Sequence, residues 1–278
     1  MLFAGQGSQH KGMGAEVFPR YPGLVSFASD LLGYDLAALC TENPDGLLSR
    51  TEYTQPAIFV VNALHSFERA HREDRPADCY LGHSLGEYNA LLAAGVFDFE
   101  TGLRLVAKRG ELMAAASDGG MAAVMDTPEE RLWEVLAAHG IDGVDIAGLN
   151  TPSQLVIAAT PPVLAAALGC LEEAGIRVAR LRVSAPFHSR YMEPARVRFE
   201  EFLTGFTFAA PATPVVSNVT ARPHRPEETA RLLAEQLVTP VRWTDCVRSL
   251  LDPGDPPEFT EIGGTALTRM VHAITKGV

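Results

Sequence analysis

Gly82-His83-Ser84-Leu85-Gly86 fits the pattern G-x-S-x-G, with an apolar stretch before it and a helical pattern after it. On a strand–turn–helix of this kind the serine sits on a sharp bend, which a side chain at either flanking glycine would obstruct. The bend lifts Oγ clear of the sheet and places it at a helix N-terminus, where unpaired N–H groups stabilise negative charge. The backbone N–H of Leu85 then becomes a donor to an oxyanion. The bland alternative is a tight structural turn in which Ser84 only caps the helix. The strand and helix on either side favour the nucleophile, and with it acyl transfer or acyl hydrolysis.

A serine needs a base, and eight histidines compete for that role. His83 adjoins Ser84 on the turn, so its side chain should point elsewhere. His65 and His71 read as helix-surface or core residues of the apolar helix after Gln55-Pro56, and His139 ends a helix. His224 and His272 lie in polar stretches and are expected at the surface. His10, near the glycine loop Gly5-Gln6-Gly7, is the serious rival. His188 lies in Ser184-Ala185-Pro186-Phe187-His188-Ser189, where the chain returns from one domain to another, and loops over such clefts carry catalytic groups. Spacing alone leaves His188 open between a base and a surface histidine.

Arg109 shares a helix face with Leu105 and Leu112, while Arg104, Lys108 and Glu111 take the polar sides. An arginine on an apolar stripe must find an acceptor or snorkel to water. On the residues alone, a carboxylate of this same chain is the better candidate for its partner.

The elements that must position these groups alternate. Leu2–Ala4 reads as a strand running into the glycine loop, Cys79–His83 as a strand, and Leu85–Gly95 as a helix. A second helix runs from an Asp98 cap to about Ala116, and Pro214–Ser217 and Phe259–Ile262 read as buried strands. That order predicts an α/β fold with a mostly parallel sheet covered on both faces. Between them the order changes: a strand at Met121–Met125, a helix to His139, and strands at Val144–Leu149 and Leu155–Ala159. A helix over Pro161–Ala174 and a strand over Arg177–Val183 complete β-α-β-β-α-β, the ferredoxin-like arrangement. We therefore expect a large domain of residues 1–118 and 186–278 and a small domain of 119–185 that walls a cleft.

Hydrophobic residues make up 47% of the 278 and charged residues 21%, the balance of an ordinary globular enzyme. A formal charge of −11 argues against a nucleic-acid surface. No apolar run is long enough to span a bilayer, and no basic-then-apolar leader opens the chain. Cys40, Cys79, Cys170 and Cys246 are scattered with no metal-ligand spacing, which suits a reducing cytoplasm and predicts no metal. One stretch is basic: Arg177, Arg180, Arg182, Arg190, Arg196 and Arg198, with only Glu193 against them. It reads first as a solvated face, although it brackets His188.

The chain resembles the malonyl-CoA:acyl-carrier-protein transacylases, including the discrete acyltransferases that load polyketide synthases in trans. The likeness is carried by Gly5-Gln6-Gly7-Ser8-Gln9, Thr54-Gln55-Pro56-Ala57, Gly82 to Tyr88, Arg109-Gly110 and Asn150-Thr151-Pro152. Phe187-His188-Ser189, Gln236-Leu237 and Pro240-Val241-Arg242-Trp243 continue it in the same order. It implies an α/β-hydrolase-like large domain with a ferredoxin-like insert, and a Ser84–His188 dyad oriented by the backbone carbonyl of Gln236. The Gln6 and Leu85 N–H groups would form the oxyanion hole. Arg109 would grip a malonyl carboxylate as a bidentate fork, with Gln55, Phe187, His83 and Asn150 lining the pocket. Phe187 resembles the residue that selects unbranched malonyl units, although Ala185-Pro186 departs from the usual pair before it, which leaves a substituted malonyl unit open.

Malonyl-CoA is then the donor and the phosphopantetheine thiol of an acyl carrier protein the acceptor, with no cofactor. A cytoplasmic monomer is expected. The arginines around His188 would meet the anionic partners. Near the end, Gly263-Gly264 stands where the family has glycine-proline-glycine. The rivals are a serine thioesterase and a non-catalytic scaffold. Arg109 speaks against the first, and the intact Gln6, Ser84, Arg109 and His188 against the second.

Overall fold

The computed structural model describes residues 1–276 apart from 74, 75, 117, 253 and 256. Its strands are β1 (Leu2–Phe3), β2 (Tyr80–Gly82), β3 (Gly120–Met125), β4 (Asp145–Thr151), β5 (Gln154–Ala159), β6 (Arg177–Arg180), β7 (Val215–Val216) and β8 (Glu261–Ile262). The helices of the first half are α1 (Pro22–Leu32), α2 (Leu36–Glu42), α3 (Thr51–Arg72), α4 (Gly86–Ala93) and α5 (Phe99–Ala114). Those that follow are α6 (Glu129–Ala138), α7 (Pro161–Glu173), α8 (Glu193–Leu203), α9 (Pro226–Glu235), α10 (Trp243–Arg248) and α11 (Ala266–Thr275).

Four short strands in the order β7-β2-β1-β8 form a wholly parallel sheet, with Leu2 opposite both Leu81 and Glu261. Alternation divides its side chains between two cores. Leu2, Leu81 and Val216 pack with Trp243, Val247, Leu267 and Val271 of α10 and α11. Phe3, Tyr80, Val215 and Ile262 pack on the other side with α3, α4 and α5. Burial on both faces is why these strands read as apolar runs rather than as alternating patterns.

The second sheet has the order β4-β5-β3-β6 and is antiparallel throughout. With α6 and α7 packed on it around Leu132, Leu136, Leu164 and Leu171, it is the ferredoxin-like unit expected from the element order. Its edge strand β4 is stitched to the large sheet's body: Leu149 N–H donates to Val241 O at 2.9 Å, and Val241 N–H to Ala147 O at 2.9 Å.

The α/β class and both sheets follow the sequence reading, with differences at the ends. Helix α3 starts at Thr51, ahead of Pro56, and Pro56 lies inside it. So early in a helix a proline sacrifices one backbone hydrogen bond, which twelve buried α3 residues offset. Asp98 does cap α5, accepting from Thr101 N–H at 2.8 Å. The glycine pair after β8 keeps its turn without a proline: Gly263 has φ +87°, and a Cβ there would lie 2.2 Å from Asn62 Oδ1.

Candidate active site

Three glycines let the nucleophile turn form. A Cβ on Gly82 would lie 1.9 Å from the Gly86 carbonyl carbon, and one on Gly86 would lie 2.1 Å from Phe3 O. One on Gly5 would strike His83 O at 2.3 Å, so only glycine lets the first loop press against the turn. Ser84 itself has φ +53°, a left-handed conformation that costs a non-glycine residue on the order of 1–2 kcal/mol. Asn218, on the segment after β7, holds it there. Its Oδ1 accepts from Ser84 N–H at 2.7 Å and its Nδ2 donates to Gly82 O at 2.8 Å.

Ser84 Oγ lies 2.7 Å from His188 Nε2, and His188 Nδ1 lies 2.7 Å from Gln236 O. A carbonyl can only accept, so Nδ1 carries the proton and Nε2 presents a lone pair to the serine hydroxyl. His188 is 6% exposed and also left-handed, with φ +59°. Burial above all, and then the Arg109 charge, push its pKa down to about 3, against the pull of the Gln236 carbonyl. The imidazole is therefore neutral, as a base must be, through the physiological range.

Arg109 is brought in by Gly110. A Cβ at Gly110 would lie 3.2 Å from Thr51 O and 3.3 Å from Glu52 Cα, so α5 lies tightly on the first turn of α3. Arg109 Nη1 donates to Gln55 Oε1 at 2.7 Å, and Nη2 to Gln236 Oε1 at 2.9 Å and Ser84 Oγ at 3.0 Å. Its guanidinium lies over the Tyr88 ring, 5.5 Å from the centroid. Nε is buried with no acceptor. The side chain is 1% exposed, yet no carboxylate of the described residues pairs with it. The internal partner favoured by sequence reasoning is absent, and every acceptor is neutral.

Neither the Gln6 nor the Leu85 backbone N–H donates to a protein acceptor among the described residues. Gln6 lines the cleft beside Ser84, and Leu85 follows Ser84 on the turn. The cleft has a volume of about 1010 Å³ and is lined by Gln6, Gln55, Ser84, Arg109, Phe187 and His188, with Met121, Ala123 and Val156 of the small sheet opposite. His83 turns away from Ser84, as expected, and meets Asn150 Oδ1 at 2.9 Å and the Trp243 ring at 5.5 Å between centroids. Both His83 and Asn150 line the cleft, and burial lowers the His83 pKa. The rival His10 is exposed, and its ring meets Ser8 O at 3.2 Å rather than Ser84.

One expectation needs correcting, and one gains detail. His224 is not at the surface: it is 4% exposed, with Nε2 2.7 Å from Glu87 Oε1. A polar neighbourhood in sequence misled there, because the turn after β7 folds His224 back under α4. The arginine stretch is less free than its charge suggests. Arg177 pairs with Asp126, Arg190 with Asp145, and Arg196 with Glu193 and Glu200. Arg180, Arg182 and Arg198 are exposed and make no ion pair among the described residues.

The sequence reading assigned no role to Glu87, Tyr88 or Asn218. Glu87 and Tyr88 stood in the family block Gly82 to Tyr88 and as polar groups in a largely apolar helix. Asn218 gave no local signal, since 134 residues separate it from Ser84. Among the described residues no group of His, Cys, Asp and Glu could hold a metal ion, and no single helix is long and apolar enough to cross a membrane.

A model of the acyl transferase domain matches residues 1–276. The polyketide biosynthesis protein ThaF of Burkholderia thailandensis is 51% identical over 98% of the chain, which spans about a quarter (24%) of ThaF. The polyketide biosynthesis malonyl CoA-acyl carrier protein transacylase PksC of Bacillus subtilis is 46% identical, with 99% of this chain and 96% of PksC covered. The crystal structure of malonyl CoA-acyl carrier protein transacylase from Burkholderia pseudomallei superimposes with a TM-score of 0.96 at 46% identity, covering 100% of this chain and 97% of that one. A strained serine against a neutral buried histidine, in a cleft between a parallel and an antiparallel sheet, is thus found in a chain that belongs to the acyl transferase family.

Proposed function

We propose that the protein moves a malonyl group from malonyl-CoA, through an ester on Ser84, to the phosphopantetheine thiol of an acyl carrier protein in polyketide biosynthesis. The observation that carries this is Arg109: a buried guanidinium beside the Ser84–His188 pair, with which no carboxylate among the described residues forms an ion pair. A malonyl carboxylate supplies that anion, and its planar geometry suits the fork. An acetyl group would leave the site's charge unanswered.

Ser84 Oγ attacks the thioester carbonyl while its proton passes to His188 Nε2, already 2.7 Å away. The Gln236 carbonyl on Nδ1 stabilises the imidazolium. The free N–H groups of Gln6 and Leu85 are suited to hold the oxyanion. Collapse expels the coenzyme A thiolate, which takes the proton from Nε2, and the malonyl ester remains. The carrier thiol repeats the sequence, giving its proton to His188, and Ser84 leaves reprotonated. These steps call on no metal or organic cofactor.

Phe187, buried at the cleft wall, leaves little room for a branch at the acyl α-carbon and supports plain malonyl. Asn150 and His83 border the same space. Residues 119–185 act as the small domain opposite the dyad. At its rim, Arg180 and Arg182 flank the exposed Leu181, a surface suited to an acidic carrier. The relatives PksC and the malonyl-transacylase solved in complex with a type II polyketide acyl-carrier protein (34% identity, TM-score 0.88) support the same donor and acceptor. We place the enzyme in the cytoplasm as a monomer.

Intact-mass measurement after mixing with malonyl-CoA or acetyl-CoA tests this reading. A malonyl adduct that is absent in Ser84→Ala and discharges onto added carrier protein is expected. Rapid release of free malonate instead would make the protein a hydrolase, and no adduct would end the proposal.

A further inference from the structure

Glu87 and Arg109 are the only Asp, Glu, Lys or Arg side chains that are buried among the described residues, at 0% and 1% exposure. Opposite charges enclosed together attract strongly, because little water screens them. Yet they form no ion pair. The Gln236 amide lies between them: Nε2 donates to Glu87 Oε2 at 3.0 Å and to Ser84 O at 3.1 Å, and Oε1 accepts from Arg109 Nη2 at 2.9 Å. The other Glu87 contacts come from Asn218 N–H at 2.9 Å and His224 Nε2 at 2.7 Å.

This arrangement rests on donor and acceptor chemistry. A carboxylate accepts only, so Nε2 of Gln236 must face Glu87, and Oε1 is thereby turned toward Arg109, which donates only. An apolar residue at 236 would orphan groups at both ends, and a shorter one would open a path between the two charges. A direct Glu87–Arg109 pair would neutralise the guanidinium inside the protein and remove the reason for a carboxylated acyl group to bind.

We propose that the Gln236 side chain is a spacer that keeps Glu87 from neutralising Arg109, while Glu87 fixes its orientation, so that selectivity for carboxylated acyl groups depends on the Glu87–Gln236 pair. This role is distinct from that of the Gln236 backbone carbonyl on His188, and it rests on the reading of Arg109 as the malonyl clamp. Both are positioning residues acting through Arg109.

The readout is the ratio of kcat/KM for malonyl-CoA to that for acetyl-CoA, which a general loss of fold or of dyad geometry would leave unchanged. Gln236→Ala keeps the backbone carbonyl and is expected to lower the ratio about tenfold or more, as Arg109 swings to Glu87. Adding Glu87→Gln to it removes the competing anion and restores the ratio to within about threefold of the unmodified enzyme. An unchanged ratio in Gln236→Ala, or a double variant no better than the single, overturns the spacer. Should Gln236→Ala fail to fold, Gln236→Asn decides. It keeps an amide but is one methylene shorter, which opens the path between the two charges, so the ratio should fall about tenfold, and an unchanged ratio would overturn the proposal. Arg109→Ala separates the two levels. If it leaves the ratio unchanged, the clamp and the spacer fall together; if it lowers the ratio while Gln236→Ala does not, only the spacer falls.

Discussion

The two sheets of this molecule divide the labour unequally. The parallel sheet has strands of only two or three residues, yet the nucleophile, base, guanidinium and their supports all project from its helices and loops. The antiparallel sheet has longer strands, of four to seven residues, and brings to the cleft mainly an apolar wall and Asn150. The first is built from close backbone approaches, positive φ values and buried charge. The second is built from ordinary alternation over a small core of its own. Chemistry resides where the backbone is constrained, and shape where it is regular.

That contrast can be broken by substitution. The largest effect should come from Gly82→Ala, whose Cβ would sit inside the contact distance of the Gly86 backbone. We expect a loss on the order of 4 kcal/mol or more, a melting midpoint lower by roughly 10 °C, and no acyl adduct. His188→Gln should fold normally and load malonyl about 10³-fold more slowly by stopped-flow or quench kinetics. Arg109→Ala should lower malonyl loading relative to acetyl loading by roughly 30- to 100-fold, and equal losses would sink the clamp.

A subtler effect concerns pH. His188 is held near 3 by burial and by Arg109, below its unfolded value, so it is neutral in the folded enzyme over the window from about 3 to 6.5. In that window the unfolded chain binds the extra proton, so this contribution to stability is full above 6.5 and is lost as pH falls toward 3. The acid limb of kcat/KM for malonyl-CoA should therefore lie well below pH 6.5. Arg109→Gln, which removes the second cause of the shift, should move that limb upward. A limb at the ordinary histidine value in the unmodified enzyme would contradict the buried neutral base. Smallest of all, Asn150→Ala in the regular sheet should change loading by less than about tenfold, because it removes one hydrogen bond to His83 and none to the dyad.

The sequence reading recovered this division to different depths. The small sheet was legible nearly strand for strand, because its central strands are short buried apolar runs set off by turn residues and its helices are amphipathic. Ser84 was legible because glycine spacing encodes the turn locally. His188 became compelling only with the family resemblance, since the distance from Ser84 is closed by the fold and by nothing nearby. His224 was misread, and the partners of Arg177 and Arg190 gave no signal, for one reason: polarity along the chain does not reveal which carboxylate lies across from it. Glu87 illustrates the same limit from inside the core. A carboxylate in an apolar helix announces that it has partners, but Gln236, Asn218 and His224 lie 131 to 149 residues away.

The left-handed backbone at Ser84 has a consequence for the enzyme's durability. Glycine would occupy φ +53° without strain, an advantage offset in part by the freer unfolded chain, so Ser84→Gly is expected to be more stable by up to about 1 kcal/mol while losing all transfer activity. Thermal ruggedness and turnover are thus set against each other at a single residue. Selection for heat resistance alone would drift toward the inert protein, and only continued demand for the acyl product keeps the less comfortable residue in place.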